Sequence, residues 1–260
     1  MQSLNGLTIM VTRPKPQGKI LCDQIQTAGG HAIHFPTIEI HPPKNLAVFA
    51  KGIVSLNQYD WVVFISPQAV YWSAPAIHEQ WPQFPPGVEV AALGGGTADA
   101  LRQAGLPVDI YPKDDWRSEG LLDDASFQEL AGKKIALICG EGGRDLLEKT
   151  LIARDAQVTR VVVYERCIPK VNVDEHIKLL QTRQIDIILC TSGEILHNLK
   201  LLLEAAWTEL RSVPIVVISE RMEILARQLE FENILEARNA SFNAIMDILK
   251  DYLCQKEKMK

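Results

Sequence analysis

A run of apolar residues closed by a hydroxyl, DWVVFIS from Asp60 to Ser66, returns 126 positions later as DIILCTS from Asp186 to Ser192. The same offset carries LNGLTIMV, beginning at Leu4, onto LAGKKIAL, beginning at Leu130, and it aligns Glu39 with Glu165. Drifting by one, it carries RQAGL from Arg102 onto RQLEF from Arg227. An offset held at four separated places in 260 residues predicts two copies of one unit. Each copy, at about 125 residues, is long enough to bury its own core. A ligand is then expected between two similar lobes.

Each copy opens with a strand and a helix. Leu7 to Thr12 is a short β-branched run ending at Arg13-Pro14, and Gln17 to Ala28 follows with Ile20, Leu21 and Ile25 at helical spacing before a Gly29-Gly30 stop. Ile135 to Cys139 and Arg144 to Ala153 repeat that unit, while Val158 to Tyr164 matches a strand predicted across Ala32 to Ile40. Further strands are predicted at Trp61 to Ile65, Val88 to Leu93, Val108 to Tyr111, Ile185 to Leu189, Ile215 to Ile218 and Asn233 to Glu236. Most are unbroken apolar runs, as strands covered on both faces of a parallel sheet should be. With helices between them, each lobe reads as a doubly wound α/β sheet. The proline-bearing stretches Phe35 to Pro43 and Tyr164 to Pro169 occupy equivalent places in the two copies and read as linkers.

Composition excludes several classes of function. Hydrophobic residues make up 47% and charged residues 23%, an ordinary folded composition, and no apolar run approaches the roughly 18 to 20 residues of a bilayer span. The N-terminus lacks a basic region followed by an apolar stretch and a cleavage site, so a cytoplasmic protein with no membrane partner is expected. Five cysteines with no Cys-x-x-Cys pair suit a reducing compartment. Net charge is −5 and the only basic block is the tail Lys256 to Lys260, so no nucleic-acid partner is expected. His31 and His34 point to opposite faces of a predicted strand, and His41, His78, His176 and His197 are isolated; no metal is expected.

In open α/β sheets, ligands bind beyond the carboxyl ends of the strands. The residues there are Thr12-Arg13, Ser66-Pro67, Gly94-Gly95-Gly96-Thr97, Cys139-Gly140, Thr191-Ser192-Gly193 and Ser219-Glu220-Arg221. Ser66, Thr97, Ser192 and Ser219 fall where helix N-caps are expected, and capping alone accounts for each taken singly. Together they also offer backbone N–H groups and positive helix ends, a surface suited to an anion with several carboxylates or phosphates. Gly94 to Ala98 looks like a dinucleotide turn, but Asp99 stands where the third glycine belongs, and there is no Gly-x4-Gly-Lys-[Ser/Thr] loop. Gly140 to Arg144 is another strand-to-helix turn, with Arg144 either meeting an anion or simply solvated. There is no nucleophile elbow. Tyr164 ends a strand where the first copy has Ile38; a phenol there either donates toward the cleft or is an amphipathic linker residue.

With those residues in place, the chain resembles the uroporphyrinogen-III synthase family over almost its whole length. The resemblance rests on Val11-Thr12-Arg13-Pro14, on Phe64-Ile65-Ser66-Pro67-Gln68-Ala69-Val70 and on Leu93-Gly94-Gly95-Gly96-Thr97-Ala98. It continues through Cys139-Gly140 to Arg144, Val163-Tyr164-Glu165-Arg166 and Cys190-Thr191-Ser192-Gly193. Order and spacing together make it specific. One departure is Ser219-Glu220-Arg221-Met222-Glu223, where many relatives carry a glycine and a threonine; Ser219 is expected to cap the helix and Arg221 to meet the anion by charge.

The resemblance implies two flavodoxin-like lobes joined by a two-stranded linker, with the first βα unit exchanged. Residues 1–36 with 171–260 would form one lobe, 41–165 the other, and 37–40 and 166–170 the linkers. It implies a cyclising lyase of tetrapyrrole biosynthesis acting on hydroxymethylbilane without cofactor or metal, as a monomer that meets the preceding pathway enzyme transiently. Tyr164 is the candidate catalytic residue. Arg13, Ser66, Gly95, Thr97, Gly140, Arg144, Thr191, Ser192, Ser219 and Arg221 are the candidate substrate-binding residues. An alternative from another class is a non-catalytic two-lobed binding protein or sensor for a polyanionic small molecule.

Overall fold

A computed structural model describes residues 4–113, 118–142 and 145–258. The apolar runs become strands and the small polar turns after them open helices. The first unit of the repeat is β1 (Thr8–Val11), α1 (Gln17–Thr27) and β2 (His31–His34). The chain continues through β3 (Glu39–His41), α2 (Leu46–Val54), β4 (Trp61–Phe64), α3 (Pro67–Gln80), β5 (Glu89–Ala92), α4 (Gly95–Gln103) and α5 (Ser118–Leu122). The second copy of the opening unit is β6 (Lys134–Gly140), α6 (Leu146–Ala153) and β7 (Gln157–Cys167). Then come α7 (Asp174–Gln181), β8 (Ile187–Leu189), α8 (Gly193–Leu202), α9 (Trp207–Ser212), β9 (Ile215–Val217), α10 (Glu220–Gln228), β10 (Ile234–Glu236) and α11 (Phe242–Lys258).

Two five-stranded sheets result. The first runs β2-β1-β8-β9-β10 with parallel pairing throughout, the 2-1-3-4-5 order of flavodoxin-like folds. The second runs β3-β7-β6-β4-β5, and its β7-β6-β4-β5 part repeats the first. Register repeats as well: Val11 pairs with His34 as Leu137 pairs with Arg160, and Ile9 pairs with Ile187 as Ile135 pairs with Trp61. The sequence offset is therefore an offset in hydrogen bonding. The chain divides into two units, residues 1–40 with 167–260 and residues 41–166.

Alternation along the strands fills a core on each face of the sheets. In the first sheet Ile9, Val11, Ile187, Leu189 and Val216 pack with Leu21 and Ile25 of α1 and Ile245 and Leu249 of α11. Met10, Ile188, Ile215 and Val217 pack with α7, α8, α9 and α10. In the second sheet Trp61, Val63, Ile135 and Leu137 lie against α5 and α6, where Leu121, Leu147 and Leu151 are buried.

Helix stops also repeat. α1 ends in a Schellman motif, with Gly30 N–H bonded to Ile25 O at 3.0 Å, Gly29 N–H to Gln26 O at 2.9 Å, and Gly29 at φ +85°. α6 ends the same way, but the left-handed position, 126 residues on, is Asp155 at φ +59°.

Two expectations fail. The strand across Ala32 to Ile40 is broken: β2 stops at His34, and after Pro36, which has no N–H to donate, the chain re-forms as β3 in the other sheet. Thr37 between them is fully buried, its hydroxyl donating to Ile195 O at 3.2 Å. Val108 to Tyr111 makes one bridge, Ala91 to Ile110, and no strand. Pro107 and Pro112 bound the segment, and the Asp109 carboxylate takes the Val90 N–H at 2.7 Å.

Candidate functional site

A doubly wound sheet opens its crevice at the carboxyl ends of the first and third strands of the repeat, where successive connections leave in opposite directions. In the second unit those strands are β6 and β4. β4 ends into Ser66, whose extended backbone and hydroxyl, accepting from Ala69 N–H at 3.1 Å, start α3 with Pro67 at its first position. β6 ends at Gly140, and a register shift between Cys139 and Gly140 brings Gly140 opposite Tyr164. Such a bulge re-aims a side chain. The Tyr164 ring lies directly on the Gly140 backbone: a Cβ there would stand 2.5 Å from two ring carbons. The phenol oxygen is 3.3 Å from Ser66 Oγ, the residue is 6% exposed, and its carbonyl accepts from Glu141 N–H at 2.9 Å. Ser66, Gly140 and Tyr164, from three strands, are thus in contact.

Tyr164 does not end its strand. β7 continues to Cys167 because the chain stays hydrogen-bonded in the sheet past the bulge, and the next residue, Glu165, is anchored on the opposite face. Its buried carboxylate accepts from Lys44 N–H at 2.6 Å and pairs with Lys44 Nζ at 3.2 Å.

Arg160, ahead of the bulge in β7, reaches the turn after β6. Its guanidinium donates to Gly142 O at 2.6 Å, to Gly140 O at 3.5 Å and to Glu148 Oε2 at 3.0 Å. Burial pushes the neighbouring Cys139 thiol above its ordinary pKa. Arg144 lies outside the described residues. One strand further, Gly94 holds the N-cap position of α4, so Gly95 is its first residue and Thr97 its third. Thr97 is therefore no cap. β5 stops at Ala92, the turn is completed by Leu93 and Gly94, and the Thr97 side chain is carried inward, 4% exposed.

In the first unit the equivalent strands are β1 and β8. Ser192 caps α8 with nearly the backbone angles of Ser66, accepting from Ile195 N–H at 3.2 Å. Thr12, fully buried, donates to Leu189 O at 2.5 Å and ties the two strand ends together. Thr191 is half-buried beside Cys190, whose thiol is pushed up to about 12 by burial and is no nucleophile. The Arg13 guanidinium is turned to Ala240 O at 3.3 Å, and burial lowers its pKa from the ordinary value; its carbonyl accepts from His34 Nε2 at 2.9 Å. Ser219 holds the N-cap position of α10, but its hydroxyl makes no cap bond; its carbonyl takes the Met222 and Glu223 N–H groups at 2.9 and 3.0 Å. Arg221 is exposed on that helix.

Strand-end reasoning missed two features here. β10 leads into exposed Arg238 and a turn in which Asn239 Oδ1 accepts from Ser241 N–H at 2.9 Å and Ser241 caps α11 through Ala244 N–H at 3.3 Å. Extending the list of strand ends past Glu236 would have found it. Arg160 was signalled by its alignment with His34 at the repeat offset. Among the described residues, no group of three His, Cys, Asp or Glu side chains is placed to hold a metal, and no helix is long and apolar enough to cross a membrane.

Two flavodoxin-like units, each with a hydroxyl-capped helix at its switch point, define a class of duplicated α/β proteins. Comparison with known proteins narrows the class. The family model described as uroporphyrinogen-III synthase HemD matches residues 21–247. The uroporphyrinogen-III synthase of Escherichia coli (strain K12) is 35% identical over 249 residues, covering 94% of this chain and 100% of the relative. That of Salmonella typhimurium is 33% identical over 247 residues, with 94% and 100% covered. Among solved structures, a mutant uroporphyrinogen III synthase from the extremely thermophilic bacterium Thermus thermophilus shares the fold with a TM-score of 0.65 at 15% identity, covering 96% of this chain and 100% of that one. The synthetase from Helicobacter pylori 26695 gives a TM-score of 0.57 at 14% identity, with 93% and 96% covered. The chain belongs to the uroporphyrinogen-III synthase family.

Proposed function

We propose that this chain closes hydroxymethylbilane to uroporphyrinogen III, with inversion of ring D and loss of water. Family membership supports the substrate and the reaction class. The bilane carries an acetate and a propionate on every pyrrole, and a chain of net charge −5 attracts it only through local groups. Helix starts such as those at Ser66 and Ser192 contribute about 0.3 to 1 kcal/mol per anion when exposed and up to about 2 when partly buried.

In the reaction, a pyrrole nitrogen pushes out the terminal hydroxyl as its C–O bond breaks and a proton is delivered to the departing oxygen. The resulting azafulvene is attacked by the substituted carbon of ring D. In the spiro intermediate the original bond from that carbon to its bridge breaks, and the freed bridge carbon bonds the other α-carbon of the ring, which then loses its proton and leaves ring D inverted. The pyrrole supplies the electronic push, so this reading requires no cofactor. The protein's part is to hold a reactive conformer and to supply the proton. Tyr164 is the proton donor in this reading. The observation that carries it is the phenol held between Gly140 and Ser66 Oγ, 3.3 Å away, at the switch point of the second unit.

The test is direct. Freshly prepared hydroxymethylbilane is incubated with the chain, the product is oxidised, and the porphyrin isomers are separated. The type III isomer should predominate; type I alone, as in a protein-free control, overturns the proposal.

A further inference from the structure

We infer that Arg160 is a positioning residue for the site around Tyr164, pinning the turn after β6 so that Gly140 stays beneath the phenol and two carbonyl oxygens of the turn are neutralised before a polycarboxylate arrives. The inference deepens the function proposed above and rests on it for its kinetic consequences.

The partners of Arg160 carry the argument. A guanidinium only 27% exposed needs hydrogen bonds and a counter-charge to offset its desolvation. Glu148, 26% exposed, supplies the charge, but the remaining donors go to Gly142 O at 2.6 Å and Gly140 O at 3.5 Å, both in the strand-to-helix turn. An ion pair alone would leave those carbonyls to solvent or to the ligand. A carbonyl oxygen facing a carboxylate repels it, whereas one engaged by a cation does not. The turn is also clamped from its other side, since Glu141 N–H donates to Tyr164 O at 2.9 Å. Arg160 through its side chain and Tyr164 through its carbonyl, on either side of the bulge in β7, therefore both hold the residues that follow Cys139.

The other unit supplies an independent observation. Position 160 less 126 is 34, and the registers agree: Leu137 with Arg160, Val11 with His34. His34 Nε2 donates to Arg13 O at 2.9 Å, a bond made feasible by Gly18, whose Cβ would otherwise stand 2.4 Å from that nitrogen. In both units the second strand of the repeat thus sends a donor to a carbonyl of the loop after the first. Arginine replaces one donor by a rigid fork that takes two carbonyls and a carboxylate, which lysine cannot reproduce.

Arg160→Lys and Arg160→Met test this with hydroxymethylbilane. Misplacement of a reacting group by about an ångström costs on the order of 100-fold, so kcat/KM per folded molecule should fall about 10-fold in Arg160→Lys and up to about 100-fold in Arg160→Met. The share of type I porphyrin should rise in the same order. A second readout is independent of turnover: hydrogen exchange at Glu141 N–H should quicken at least about tenfold in Arg160→Met, while amides in the β4 strand keep their protection. Folded variants with unchanged kcat, KM and isomer ratio, losses that merely follow the folded fraction, or unchanged exchange at Glu141 would overturn the inference. A wild-type chain that makes no type III isomer defeats the proposed function instead, and the exchange measurement then decides on Arg160 alone.

Discussion

The strand-end faces of the two units start from one template and end in different chemistry. Ser66 and Ser192 sit 126 residues apart with matching backbone angles and cap bonds of 3.1 and 3.2 Å. Around them the pairs diverge. Gly140 answers Pro14, Tyr164 answers Ile38, Arg160 answers His34 and Cys139 answers Arg13. In the second unit the divergent residues bring a phenol onto a bare backbone beside the cap; in the first, Ile38 is 5% exposed in an apolar core and Arg13 is spent on Ala240. Duplication has kept what starts a helix and varied what lies beside it. A reactive group is therefore expected in one copy only, at positions where the two disagree.

The largest expected effect breaks or upholds that asymmetry. Tyr164→Phe should lower turnover by about 10² to 10⁴, the range of a lost general acid, with little change in stability because the ring still covers Gly140. Its counterpart, Ile38→Ala, should cost about 2 to 5 kcal/mol of stability and leave turnover per folded molecule intact. Rates and unfolding midpoints on both variants decide it; full turnover in folded Tyr164→Phe removes the phenol from the mechanism.

Gly140→Ala comes next. The new methyl cannot coexist with the Tyr164 ring at 2.5 Å, so ring or turn must shift, at about 1 to 3 kcal/mol by the cost of overpacking. Turnover should fall with it. Because Tyr164→Phe keeps both ring carbons at that distance, the double variant Gly140→Ala with Tyr164→Phe should retain the stability loss of Gly140→Ala; relief of that loss would place the conflict at the hydroxyl instead.

Smaller still are the caps. Ser66→Ala and Ser192→Ala should each cost about 1 kcal/mol through the lost cap bond. Equal stability losses with an additional fall in turnover for Ser66→Ala alone would sharpen the comparison, since only Ser66 touches the phenol. Equal turnover losses would mean that the caps matter only as helix starts.

How much of this was readable from sequence follows from distance along the chain. The repeat exposed the duplicated parallel α/β fold, and the cap residues at Ser66 and Ser192 follow from local chemistry, strand then hydroxyl then helix. Val108 to Tyr111 reads as a strand because its apolar run is local. Its backbone does bond β5, through Asp109 and Ile110 N–H to Val90 O and Ala92 N–H to Ile110 O, but the Asp109 carboxylate takes the Val90 N–H and only one bridge forms. Thr97 lies inside the first turn of α4 and not at its cap because an extended glycine takes that position. Arg13 to Ala240 and Lys44 to Glu165 span 227 and 121 residues, and no local pattern announces them. Arg160 sits within a strand and reaches its turn by side-chain length alone, so a reading confined to strand ends passes over it.

The smallest prediction tests whether the template itself is strained in one copy. Gly29 and Asp155 hold the same left-handed position after α1 and α6, at φ +85° and +59°, with matching Schellman bonds. A side chain there is crowded against the carbonyl oxygen, at roughly 1 to 2 kcal/mol for a general L-residue and less for aspartate, whose short polar side chain tolerates the region. Asp155→Gly relieves the crowding but adds freedom to the unfolded chain, a loss of about 0.5 to 1 kcal/mol. The two nearly cancel, so a gain of at most about 0.5 kcal/mol is expected. Gly29→Ala carries the full crowding of an ordinary L-residue, only partly offset by the stiffer unfolded chain, and should destabilise by about 1 kcal/mol. Chemical unfolding of both variants measures the pair. If Asp155→Gly destabilises, the exposed aspartate contributes something its glycine counterpart lacks, and the second copy is not the strained one.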